Sequence, residues 1–180
     1  MKSPLRSDGK DGKSIRVPAR KLTVLALMGA LMYACQVVMS FVPNVHIVAM
    51  LIIVTGLLFG WEAFYSVILF IILEGITYGF GIWWFNYLYV WPVLVLIVCL
   101  LRKNDSVIFW AVVAAVHGLC FGALCAIPYF FIGGAGMAFS YWVAGIPFDI
   151  VHCISNFVVT LVLLKPLRTV IERYALQKAE

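Results

Sequence analysis

An all-α integral membrane protein, a six-transmembrane-helix bundle with both termini cytoplasmic, is the fold that this sequence predicts. Three observations carry the expectation. Hydrophobic residues make up 64% of the chain against 12% charged, with a mean hydropathy of +1.06, which excludes an ordinary water-soluble domain. The apolar residues fall into six runs near the roughly 20 residues that a spanning helix needs, apolar on every face rather than alternating as barrel strands do. All 13 Lys and Arg residues lie in segments that a six-span reading puts on one side. Translocating such residues is disfavoured, so that side is the cytoplasm.

Residues 1–21 hold Lys2, Arg6, Lys10, Lys13, Arg16, Arg20 and Lys21 with glycines and prolines and no apolar run. They predict a disordered basic cytoplasmic arm able to touch anionic lipid. The net charge of +5 belongs to such inside segments and calls for a membrane rather than a nucleic acid as its partner. A transmembrane domain over 22–167 follows, then a cytoplasmic tail over 168–180.

The spans run from Leu22 to Val42, Val45 to Gly60, Ala63 to Gly81, Ile82 to Leu101, Val107 to Ile132 and Ile146 to Leu164. The first is too long for a signal peptide's apolar region and is expected to stay in the mature protein. The second is short and borrows interfacial residues. Pro43 and Asn44 turn the first outer link, and Gly79 to Gly81 the second. The third outer link, about a dozen residues, holds Gly133, Gly134 and Gly136 before Phe139, Ser140, Tyr141 and Trp142. Pro147 suits a first helical position and Asp149 a first turn, so the sixth helix is expected to begin at Gly145 or Ile146. A start near Phe139, with a kink at Pro147, is the alternative.

Polar residues inside the spans are few and gather in the outer half. Glu74 falls in the third helix and Asn86 in the first turn of the fourth, while Asp149, His152 and Asn156 share one stripe of the sixth. An acid at helix centre costs about 2.5 to 3.5 kcal/mol on insertion scales, so Glu74 and Asp149 are expected to face protein or a wet cavity. Trp84, Tyr87 and Trp91 share a stripe that can offer rings to a flat or cationic solute, although an interfacial belt accounts for most of the aromatics nearby. Asn44 and His46 lie at the outer link after the first helix. His117 reads as a helix-to-helix hydrogen-bond donor, and His152 as either a partner of Asp149 or a solute ligand. Metal-ligand spacing, catalytic nucleophile motifs and a Walker motif are absent, so no cofactor, metal or catalytic residue is expected and any ATP is hydrolysed elsewhere. The five cysteines lack Cys-x-x-Cys spacing and are given packing roles.

Ala26, Ala30 and Ala34 recur every four residues on the first helix, a flat strip for close helix packing. On spacing alone, a neighbouring span of the same chain has the larger claim on it. Gly118 and Gly122, with Ala111, Ala114 and Ala115, form a second small-residue surface for internal packing.

Six spans in 180 residues, the alanine repeat, the segment Phe41-Val42-Pro43-Asn44-Val45-His46 and the run Gly145 to His152 before Asn156 together resemble the substrate-binding S component of energy-coupling factor (ECF) transporters. The resemblance covers Lys21 to about Leu167. It implies a plasma-membrane subunit that captures a vitamin or similar micronutrient from outside and works with a membrane scaffold (T) subunit and two ATPase subunits. Ala26, Ala30 and Ala34 would then dock on the scaffold, and the Gly133 to Gly136 link could close as a lid. The solute site is expected among Glu74, Trp84, Asn86, Tyr87, Asp149, His152, Asn156, Asn44 and His46, chosen by depth and helical stripe. Two rivals are a structural membrane scaffold of the MreD type and a small proton-coupled secondary transporter.

Overall fold

The protein is described from a computed structural model, which covers residues 19–41 and 45–173. The regular elements among them are all helical: α1 Ala19–Met39, α2 Val48–Phe59, a 3-10 turn Gly60–Glu62, α3 Ala63–Tyr78, α4 Ile82–Leu101, α5 Val107–Leu119, α6 Phe121–Cys125 and α7 Ile127–Ile171. By length and composition four stretches could cross a membrane, Ala19–Met39, Val48–Tyr78, Ile82–Leu101 and Ile127–Ile171, although Val48–Tyr78 is two rods, α2 and α3, folded back at Gly60; Val107–Leu119 is apolar but shorter.

Side-chain ties give the direction of each rod. Lys21 pairs with Glu62, Ser66 Oγ donates to Leu25 O at 2.7 Å, and the Tyr33 and Thr77 hydroxyls lie 2.8 Å apart. The residue numbers rise together, so α1 and α3 are parallel. Between them α2 runs back, and the chain reverses at Gly60, whose φ of +64° is a left-handed value that glycine tolerates best. Gly79, at φ +87°, ends α3 in the same way. From there α4 descends beside α3, with Trp84 Nε1 donating to Ile71 O at 2.9 Å. The α5–α6 segment then rises along α4, held by His117 Nε2 to Val90 O at 3.1 Å and Tyr89 Oη to Leu124 O at 2.7 Å. Finally α7 returns against α5, where Asn156 Nδ2 donates to Ala114 O at 3.2 Å.

The core is built around α2. Ten of its 12 residues are buried, and it touches α1, α3, α4, α5 and α7. A helix apolar on every side belongs in such a place. α1 packs through Leu25, Met28, Gly29 and Met32. Gly29 is required there, since a Cβ would lie 2.6 Å from Ser66 O and 3.2 Å from Leu69. At one end of the bundle the described basic residues collect: Lys21 pairs with Glu62, Arg102 lies against Gly60, and Arg168 holds Asp105 at 3.1 Å and Glu172 at 3.0 Å.

Several expected boundaries are corrected. The sixth helix does not begin at Gly145 or Ile146; α7 is helical from beyond Gly134 to Ile171, with Pro147 and Pro166 inside it. Proline removes a single N–H donor and its φ already suits a helix, which helices of this apolar kind tolerate. Asp149 consequently lies well inside a helix, not in a first turn. The dozen-residue third link is helical too, and its irregular part shrinks to Gly133 and Gly134, with φ +76° at Gly134. The fifth run is interrupted, because α5 stops at Leu119 and a new turn starts at Phe121. The second helix begins at Val48, so His46 precedes it rather than opening it. Ala19 to Lys21, expected in the arm, form the first turn of α1, and Arg168 to Ile171, expected in the tail, are the last turn of α7. The rest of the arm, the turn at Pro43 and Asn44, and residues 174–180 lie outside the described residues.

Candidate functional site

Asp149, His152 and Asn156 do share one stripe of α7, and all three are buried against α5 and α6. Thr160 continues the stripe a turn further on and is buried as well. Two glycines let α5 and α6 approach so closely. A Cβ on Gly118 would lie 2.9 Å from Asn156 Nδ2 and 3.0 Å from the His152 carbonyl, and one on Gly122 would overlap the Asp149 carboxylate. The Gly122 amide donates to Asp149 Oδ1 at 2.9 Å.

Each residue of the stripe keeps one buried polar atom without a partner in the protein: Asp149 Oδ2, His152 Nε2, Asn156 Oδ1 and Thr160 Oγ1. Leaving such atoms unmatched costs about 1 to 3 kcal/mol each, so a run of four along one helix is a feature to be accounted for. His46 joins them from the segment before α2. Its ring meets that of His152 edge to face at 5.5 Å, and its Nδ1 is also unmatched.

Phe121 packs on His152 at 5.0 Å and on Trp91 at 5.5 Å, and Trp91 meets Tyr87 at 5.6 Å. These contacts make a string of rings from His46 to α4. Beyond Tyr87 lies a second polar group. Gln36 Nε2 reaches the Tyr87 hydroxyl at 3.5 Å, and Glu74 is buried nearby with Oε1 unmatched. Between the two groups, Asn86 Oδ1 accepts from Tyr89 Oη at 3.0 Å, and Cys125 lies beside both Asn86 and Asp149.

A cavity of about 350 Å³ opens next to Asp149, lined also by Phe121, Gly122, Cys125, Tyr141, Ala144, Gly145 and Phe148. Of the described residues expected in the solute site, Asp149 alone lines it; His46, Glu74, Trp84, Asn86, Tyr87, His152 and Asn156 do not. Trp84 spends its indole N–H on Ile71 O, and Tyr87 and Trp91 pack on Phe70 at 6.0 Å. The expected ring stripe of α4 is therefore packed into the bundle, and the rings at the Asp149 cavity come from α6 and α7. Asn44 lies outside the described residues. Among the described residues, no group of three or more His, Cys, Asp or Glu side chains is disposed to hold a metal ion.

Sequence reading overlooked Gln36, Thr160, Phe121 and Phe148. Gln36 and Thr160 carried a signal, one as a lone amide in an apolar helix and the other as the next step of the Asp149 stripe. Phe121 and Phe148 look like any apolar residues and had none.

Ala26, Ala30 and Ala34 are all exposed. The internal contact that spacing favoured is not made, because α1 turns Gly29 rather than the alanines toward α3.

Comparison with protein-family models, with curated proteins and with solved structures finds no match for the chain. The geometry of the site therefore carries the functional argument.

Proposed function

We propose that this protein is the solute-capture subunit of an ATP-driven importer of the ECF type, a six-pass plasma-membrane protein with both termini cytoplasmic. It binds a vitamin or similar micronutrient from outside. The observation that carries the reading is the line of buried, unmatched polar atoms at His46, Asp149, His152 and Asn156. An apolar bundle with a purely structural role gains nothing from such atoms, whereas a capture site keeps them for its solute.

Two further observations support it. The rods alternate in direction and the described basic residues gather at one end, as expected if that end faces the cytoplasm. Asp149 then lies toward the far side. Ala26, Ala30 and Ala34 present small side chains on the outer face of α1, suited to close approach by helices of a scaffold (T) subunit that bears two ATPases.

The test is to purify the protein alone and identify by mass spectrometry any small molecule that travels with it. A retained micronutrient is the expected result. An empty, folded protein that binds none of a vitamin panel, followed by tryptophan fluorescence, would overturn the reading in favour of a scaffold.

The burial of Glu74 and Asp149 with unmatched oxygens also favours a second reading, a proton-coupled secondary transporter. Uptake into vesicles holding this protein alone, driven by a proton gradient, would select it. Uptake that stops on ATP depletion, while binding to the isolated protein persists, selects the importer.

A further inference from the structure

We infer that the cavity beside Asp149 takes a small planar organic cation carrying N–H donors. The inference rests on the capture reading and names the solute class for that site.

Asp149 is 5% exposed, and only one of its carboxylate oxygens is occupied, by the Gly122 amide. Asp149 lines the cavity, and its Oδ2, buried against Gly122, has no protein donor. No basic side chain is at hand. Lys21, Arg102 and Arg168 are engaged at the opposite end of the bundle, and from Asp149 to Lys165 the helix rises about 24 Å.

The lining selects further. Phe121, Tyr141 and Phe148 supply rings, and Tyr129 holds Tyr141 by stacking on it at 4.1 Å between centroids. Ring faces attract cations and stack on flat groups. An anionic solute would meet a carboxylate and no cation, and a neutral acceptor would find the Gly122 amide already used. A cation with N–H groups answers both the free oxygen and the rings, through a charge-assisted hydrogen bond of the stronger kind.

Three ligands of one shape separate the cases: benzamidinium, benzamide and benzoate, carrying positive, zero and negative charge at pH 7. Titrated calorimetrically into the purified full chain, benzamidinium should bind about tenfold or more tightly than benzamide, and benzoate should not bind. Asp149→Asn should erase the preference for the cation. Phe148→Ala should weaken benzamidinium and benzamide alike while leaving their order unchanged, and it serves if Asp149→Asn does not fold. Equal or tighter binding of benzamide or benzoate, no binding of any of the three, a cation preference surviving in folded Asp149→Asn, or unchanged affinities in Phe148→Ala would each overturn the inference. A co-purified neutral or anionic micronutrient would remove the cation class and leave capture standing. An empty protein that binds none of a vitamin panel yet ranks the three probes as expected would keep the cation site and remove the capture reading.

Discussion

Gly122 and Asp149 are fitted to each other across the α6–α7 contact: the glycine amide donates to Oδ1 at 2.9 Å, and a methyl group on Gly122 would overlap the carboxylate. Gly122→Ala must displace a buried acid. Overpacking of this kind costs about 1 to 3 kcal/mol. Thermal unfolding in detergent should register that loss, and solute affinity should fall at least about tenfold. A variant with wild-type stability and affinity would show that the carboxylate is free to move.

Two neighbours on α1 should behave oppositely. Gly29→Ala sets a Cβ 2.6 Å from the Ser66 carbonyl and should destabilise by about 1 to 3 kcal/mol. Ala30→Leu changes an exposed position and should leave stability within about 0.5 kcal/mol and solute binding intact. It should nonetheless weaken co-purification with an ATPase-bearing partner. Loss of solute binding in Ala30→Leu would show that the strip serves the interior.

His117→Phe tests a histidine that ties α5 to α4 through Nε2, while its Nδ1 is unmatched like the atoms of the Asp149 stripe. A carbonyl only accepts, so Nε2 carries the proton donated to Val90 O at 3.1 Å. Phenylalanine keeps the ring among Trp91 and Phe121 but removes the donor, and should cost about 1 to 2 kcal/mol in unfolding. Solute affinity should change less than about threefold. A larger drop would bring His117 into the site.

Gly134 and Gly136 give a pair of opposite sign, since neither would meet a neighbouring atom if it gained a Cβ. Only backbone preference is left to act. At Gly134, with φ +76°, alanine should destabilise by about 1 kcal/mol, whereas at the helical Gly136 it should stabilise by up to about 1 kcal/mol. Thermal unfolding of the two variants side by side decides the matter.

Much of the fold was legible from residue type. Continuous apolar runs announce helices, Gly79 announces a reversal, and the three-to-four spacing of Asp149, His152 and Asn156 announces a shared face. The start of α7 was not legible, because Pro147 is equally at home in a first turn and in the interior of a long apolar helix. The wall of the Asp149 cavity was hidden for another reason. Phe121 and Phe148 come within reach of one another only through the α6–α7 approach that Gly122 permits, which local pattern does not encode. Spacing likewise marked the alanines of α1 as a packing surface but could not say that Gly29, on the adjoining face, would take the internal contact.

At 12 residues, α2 rises about 18 Å, well short of the roughly 30 Å of hydrocarbon it would need to cross by itself. Its surroundings are instead protein, and one of the helices around it is α7, made later than the other described helices. Until α7 is made, the second helix therefore exists without one of its neighbours. Its biogenesis calls for a temporary host, whether translocase, chaperone or lipid, and chains truncated before α7 should be substrates for membrane quality control.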